Sequence, residues 1–407
     1  MKTKTIDYTL FFIFFSLVVF WMIMISSVSV YPSFKVTSLM PKDSMFVKYF
    51  PNAFYFFKSL AHTIISIILF IVITKVPYKI FEKYARQIFA GVLIFLVIVL
   101  LVGVTYNWAK WWINVPFVPF SLQPAEFLKL GLIIYLAYFL KRKKNEIADL
   151  HNGFYPFMAI VGIVVLLLWL QPDFWTILIV VPIAVILFFI WGWNIRHLLA
   201  IALIFSIFTV FVYFIWKVSS GGERNTFSYI TERFDNFLTS NQTSIQNKTI
   251  NFQTKQWLIA IWSWWFFGLG FWKSIQKFWY LPEVQWDFIF SVIAEELWFL
   301  WIIFLVWLYL VIAYRWFYIS SNVSEPFWKY LAAGITTWIM IQTFVNIWVN
   351  LNIIPLTGVT LPFISYGGSS LMSLMIWVWI LLNISRDVNY ESITPSNSKF
   401  FRRKKVI

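Results

Sequence analysis

Apolar runs of about 18 residues or more recur along the whole chain, separated by short polar or basic stretches. About ten can be read, near residues 9–30, 53–75, 86–105, 124–141, 154–171, 174–192, 198–217, 287–312, 328–349 and 367–385. Each is long enough to cross a bilayer as a helix. In lipid the backbone must satisfy its own hydrogen bonds, so this pattern predicts an all-α polytopic membrane protein.

Basic residues orient the predicted spans. Lys75, Lys79, Lys83 and Arg86 follow the second, Lys141, Arg142, Lys143 and Lys144 the fourth, Arg196 the sixth and Arg315 the eighth; Arg402, Arg403, Lys404 and Lys405 end the chain. All share one side if both termini are cytoplasmic, as the excess of positive charge on inner loops requires. The opposite face then carries the long connections 31–52, 106–123, 218–286 and 350–366. The largest, 218–286, joins spans seven and eight and is polar in its first half. Residues 1–386 read as one transmembrane domain, and 387–407 as a polar, basic, disordered cytoplasmic tail.

Composition narrows the function classes. The chain has 407 residues, 61% hydrophobic and 12% charged, against about a quarter charged in soluble domains. With no cysteine, disulfide and thiol chemistry are excluded, and three histidines without paired spacing argue against structural zinc. The net charge of +15 reads as inner-loop and lipid-facing charge, not as a nucleic-acid surface. The basic start followed by a long apolar run reads as a retained first span.

Ionisable groups at membrane depth are costly, so each is a candidate for function. Glu126 and Lys129 in SLQPAEFLKL are three apart on one helix face, as a structural ion pair or as support for catalysis. Asp173 in LQPDFW is either a cap for span six or a site residue. In WYLPEVQWDFIFSVIAEELWFLW, Glu283 closes the long loop and Asp287 begins span eight, where it could cap the helix. Glu295 and Glu296 lie two to three turns deeper, and at least one should face a polar cavity or a cation such as Lys129. The loop LTGVTLPFISYGGSS, with Ser365, Gly367 and Gly368, could form an anion-binding nest or an ordinary turn. Arg233 suits phosphate, or simply solvent. Acids and bases at one membrane face fit chemistry on a lipid-linked phosphate. They fit a proton-coupled transporter equally well.

The motifs separate these readings. QPAEFLKL, QPD, KSIQK through LPEVQ, DFIF, AEEL, LTGVTLPFISYGGSSLM and LLNISR occur in the order of the SEDS family, the FtsW/RodA-type proteins, and extend over most of the chain. KSIQK before LPE resembles the FtsW branch more closely. The resemblance implies a peptidoglycan glycosyltransferase of the bacterial cytoplasmic membrane. Such an enzyme polymerises lipid II into polyprenyl-pyrophosphate-linked glycan during division or elongation. It works with a class B penicillin-binding transpeptidase and other division or elongation proteins. The alternative is a flippase for lipid-linked precursors. The family's essential acid falls on Asp287, and its span-four pair on Glu126 and Lys129. Charge building on the leaving pyrophosphate would be met by Lys129, Arg233 or a divalent cation, Mg or Mn.

One feature departs from the family. The chain has 25 tryptophans and only 14 glycines. Family glycine positions are held by Trp21, Trp108, Trp175, Trp191, Trp264, Trp265, Trp272, Trp298, Trp301, Trp316, Trp348, Trp377 and Trp379, and Trp279 and Trp286 read the same way. Trp112 and Trp338 look like family tryptophans. A UGA codon used for glycine and translated as tryptophan would produce this one-sided exchange; deliberate or natural tryptophan enrichment is the alternative. The chain as written is then expected to be overpacked, at about 1–3 kcal/mol per site.

Overall fold

The computed structural model describes residues 6–106, 109–114, 121–143, 146, 149–190, 233, 237, 256, 258–261, 268–279, 284–297 and 299–386. Expected span seven (198–217), Glu283, most of the loop 218–286 and the tail 387–407 lie outside them.

The described residues include fourteen α-helices. They are α1 Tyr8–Val28, α2 Val30–Thr37, α3 Met45–Tyr49, α4 Phe54–Thr74, α5 Ile80–Lys83, α6 Ala85–Val102 and α7 Pro124–Arg142. Then follow α8 Tyr155–Leu170, α9 Phe174–Ile190, α10 Gln276–Trp279, α11 Ile289–Glu296, α12 Phe299–Asn322, α13 Pro326–Asn350 and α14 Gly368–Ser385. Among the described residues, seven helical segments are long and apolar enough to cross a membrane. Helix α7 is long but carries Glu126 and Lys129, and α9 is slightly short. Phe12, Ile64, Ile68, Leu101 and Phe304 point outward from their helices, as lipid-facing side chains do.

Helices α7, α13 and α14 form the buried centre. Small residues allow the close approach. A β-carbon on Gly334 of α13 would lie 2.5 Å from Ile133 Cγ2 on α7 and 3.1 Å from Leu187 Cδ1 on α9.

Two expectations are corrected. Span eight is not one helix from 287 to 312. Helix α11 stops at Glu296, Leu297 is extended (φ −106°, ψ 135°), and α12 starts at Phe299. The last α11 carbonyls are met from outside the helix: the Leu269 N–H donates to Glu295 O at 2.9 Å and the Gly270 N–H to Glu296 O at 3.1 Å. The second concerns only the outer connection expected over 106–123, where a small antiparallel sheet forms within the all-α class that was expected. β1 (Val104–Tyr106), β2 (Ala109–Asn114) and β3 (Ser121–Leu122) pair in that order, with Val104 opposite Trp112 and Ile113 opposite Leu122.

The first and last helices end on one face, where the Asp7 N–H donates to Ser385 Oγ at 3.0 Å. Arg315 donates to Thr9 Oγ1 at 2.8 Å on that face. Lys141 pairs with Glu82 and Glu325 where α7 ends and α13 begins. The start of α7, the end of α13 and the start of α14 lie at the opposite end of their helices.

Candidate functional site

At that opposite face the structure encloses a cleft of about 790 Å³. Its walls come from β2, the starts of α7, α9 and α14, the chain just before α11, and the loop between α13 and α14. Asp287, Glu126, Lys129, Asp173, Arg233 and Gly367 all line it, although they are far apart in sequence.

Asp287 is half-buried. The N-cap position of α11 is Phe288, one residue further on, so Asp287 is not the cap residue that its place in the sequence suggested. Its backbone carbonyl accepts two hydrogen bonds from α13, from Asn346 Nδ2 and Asn350 Nδ2, each at 3.1 Å. Its carboxylate lies beside Gly358, where a β-carbon would stand 3.5 Å from Asp287 Oδ2. Gly358 has φ +74°, a left-handed backbone that favours glycine.

The Glu126–Lys129 pair forms as the three-residue spacing predicts. Lys129 Nζ donates to Glu126 Oε1 at 2.7 Å and to Gln342 Oε1 at 3.0 Å, and it lies 4.7 Å from the centre of the Trp338 ring. Glu126 Oε2 is buried and makes no hydrogen bond among the described residues. Arg233 Nη1 donates to Leu356 O at 2.7 Å, and the guanidinium lies 5.4 Å from the Trp175 ring.

Asp173 lines the cleft and also caps. Oδ1 accepts from the Thr176 N–H at 3.1 Å and Oδ2 from Thr176 Oγ1 at 2.7 Å. Burial pushes its carboxyl up from the ordinary value, with the Thr176 hydrogen bonds acting the other way.

Three expectations resolve differently. Glu295 and Glu296 do not line the cleft. Glu296 pairs with Lys277 at 2.7 Å and accepts from Ser27 Oγ at 2.7 Å, while Glu295 accepts from Ser274 Oγ at 2.6 Å and the Ile275 N–H at 3.0 Å. The cation expected for these acids is therefore Lys277, not Lys129. Ser365 serves its own loop, accepting from the Leu361 N–H at 2.8 Å. Gly368 is a packing glycine, since a β-carbon there would meet the His62 ring at 2.9 Å.

Among the described residues no group of three or more His, Cys, Asp or Glu could hold a metal. Among the described residues, the positive charge on the cleft wall is that of Lys129 and Arg233.

Sequence reading missed Gln342, Asn346 and Asn350. They recur every four residues in WIMIQTFVNIWVN, which puts three amides on one side of a helix that must be buried. That periodicity was the available signal. Gln342 Oε1 accepts from Lys129 Nζ and from Trp338 Nε1 at 2.7 Å, and Gln342 Nε2 donates to Thr360 O at 3.0 Å.

The cell cycle protein family model FTSW_RODA_SPOVE matches residues 8–390. Stage V sporulation protein E of Bacillus subtilis (strain 168) is 34% identical over 344 residues, covering 84% of this chain and 90% of that protein. A probable peptidoglycan glycosyltransferase FtsW of the same organism is 34% identical over 368 residues, covering 87% and 88%. Among solved structures, one described as "Structural coordination of polymerization and crosslinking by a peptidoglycan synthase complex" superposes with TM-score 0.72 at 25% identity, covering 95% of this chain and 99% of the other. The rod shape determining protein RodA of Thermus thermophilus has the same fold, with TM-score 0.65 at 22% identity, covering 94% and 97%. The chain belongs to the FtsW/RodA/SpoVE family of multi-pass membrane proteins, on its FtsW-like side.

Proposed function

We propose that the chain is a peptidoglycan glycosyltransferase that polymerises lipid II at the outer face of the bacterial cytoplasmic membrane, with Asp287 as the general base. The observation that carries this reading is Asp287 itself. It is a half-buried carboxylate on the cleft wall, with its backbone held by two buried amides and a glycine beside its oxygen. The names of the FtsW relatives support the activity. They do not favour a flippase.

In this reaction the 4-hydroxyl of one sugar attacks the anomeric carbon of a lipid-linked donor. Asp287 takes the hydroxyl proton as the new C–O bond forms. The bond to the polyprenyl pyrophosphate breaks, and its electron pair leaves with the pyrophosphate. Inversion at one carbon needs no covalent intermediate. Lys129 and Arg233 oppose the charge growing on the leaving group, and Glu126 and Asp173 hold the wall around them. The cleft lies opposite the face of Arg315 and Lys141, so the positive-inside rule turns it outward, where lipid-anchored sugars are presented. A class B penicillin-binding transpeptidase is the partner that would crosslink the strands.

The test uses the full-length protein with its transpeptidase partner and lipid II in detergent. Asp287→Asn should lower polymerisation by at least about 100-fold with an unchanged melting temperature. Near-normal polymer from that variant would reject Asp287 as base. A wild-type protein that makes no polymer here but moves lipid II across vesicles would be a flippase.

A further inference from the structure

We infer that Gln342, Asn346 and Asn350 form a ladder of positioning residues that holds the base and the cleft cation in mutual register for the transfer step. The inference rests on the reading of Asp287 as the base.

The three amides are almost fully inaccessible, at 1%, 1% and 0% exposure. They stand one turn apart on α13, and each donates to a loop carbonyl. Asn350 Nδ2 reaches Asp287 O at 3.1 Å. Asn346 Nδ2 reaches both Asp287 O at 3.1 Å and Val359 O at 2.7 Å, joining the acid's segment to the loop before α14. Gln342 Nε2 holds the next carbonyl of that loop, Thr360 O, while its own oxygen holds Lys129. The rungs brace one another as well: Asn350 Nδ2 donates to Asn346 O at 2.9 Å, and Ser291 Oγ donates to Asn350 Oδ1 at 2.6 Å.

Both tethered segments are irregular chain. Without the amides their buried carbonyls would lack partners, a cost that favours displacement of the loops. Asp287 and Lys129 are not joined directly by any hydrogen bond among those described. Their common reference is α13, which the contact of Gly334 with α7 and α9 keeps closely packed. The loop also supplies Leu356 O to Arg233, so the second cation depends on the same anchorage. A shift of about 1 Å in a reacting group can cost about 100-fold in rate.

A role confined to folding would lower stability and the amount of folded protein, leaving turnover of the folded fraction intact. A positioning role lowers kcat at constant KM. Asn346→Asp keeps the shape but turns an oxygen toward two carbonyls. It should reduce kcat for lipid II polymerisation by about 100-fold, with KM changed less than about 3-fold. Gln342→Glu keeps an acceptor for Lys129, replaces the donor to Thr360 with an oxygen and adds a negative charge beside Lys129, and should reduce kcat by about 10-fold. Asn350→Asp should fall between them. Wild-type kcat in folded Asn346→Asp would overturn the ladder. If that variant does not fold, wild-type kcat in both Asn350→Asp and Gln342→Glu would overturn it. These outcomes are separate from failure of the base assignment, which would appear as an active Asp287→Asn.

Discussion

Two buried lysine–carboxylate pairs in this molecule have the same ingredients and opposite surroundings. Lys277 and Glu296 have side chains 1% and 0% exposed. Lys277 Nζ has three acceptors: Glu296 Oε1, Ser27 Oγ at 2.8 Å and Trp272 O at 2.8 Å. An ammonium has three donors, so this one is saturated. Both Glu296 oxygens accept from Ser27 Oγ. Lys129 and Glu126 are nearly as buried, yet they line the cleft, Lys129 leans on the neutral Gln342, and Glu126 Oε2 has no hydrogen-bond partner among the described residues. The closed pair ties the chain before the active segment to α1. The open pair keeps hydrogen-bonding capacity for something that enters. Spare capacity separates a site ion pair from a structural one, whereas burial does not.

The largest expected effect tests the closed pair. Lys277→Met leaves Glu296 buried without its cation and should destabilise the protein by about 3–5 kcal/mol. Lys277→Met combined with Glu296→Gln removes both charges and should recover most of that loss, with polymerisation per folded molecule unchanged. Thermal melts beside turnover measurements check both points. A stable double variant that has lost activity would move this pair into the site.

The corresponding double variant in the cleft, Glu126→Gln with Lys129→Met, should separate the two measurements the other way. Stability should stay near wild type, because both members of the pair are neutralised together. Turnover should fall by about 100- to 1,000-fold, the usual cost of removing one preorganised group that faces developing charge. Equal behaviour of the two double variants would show that the cleft pair is structural as well.

Much of this arrangement could be read from sequence, and the failures have physical causes. The bounds of α1, α4, α7, α13 and α14 follow from apolar run length, which is local. The i, i+3 pairing of Glu126 with Lys129 is local too, and it formed. The break at Leu297 was hidden because DFIFSVIAEELWFLW is apolar throughout apart from its acids and Ser291. What ends α11 is a pair of N–H groups from Leu269 and Gly270, which only tertiary structure brings there. For the same reason Glu296 could not be matched to Lys277 in advance: they are 19 residues apart and no periodicity links them. The amide ladder was legible as a pattern. Its targets are carbonyls, which have no side-chain signature.

The smallest expected effect concerns the closed pair's third acceptor. Trp272, whose carbonyl holds Lys277, has φ +70°. That left-handed backbone costs a side-chain-bearing residue roughly 1–2 kcal/mol and costs glycine almost nothing. The ring is 50% exposed, and it lies 5.9 Å from Lys277 Nζ, a contact worth about 0.5–1 kcal/mol. Trp272→Gly should therefore stabilise the protein slightly, by about 1 kcal/mol or less. Such a gain is the reverse of what loss of a tryptophan normally brings. The indoles elsewhere divide in the same way. Trp338, expected from the sequence to be a family tryptophan, donates its N–H to Gln342 at 2.7 Å, whereas Trp21, Trp316 and Trp377, expected to stand at family glycine positions, have buried indole N–H groups without a hydrogen-bond partner among the described residues. An unmade buried hydrogen bond costs about 1–3 kcal/mol. If UGA encodes glycine in the host, peptide masses of the protein purified from that host will read glycine at 272, 21, 316 and 377 and tryptophan at 338. Tryptophan at all five positions would rule out recoding. The left-handed turn beside Lys277 would then be strain that the saturated ion pair holds in place.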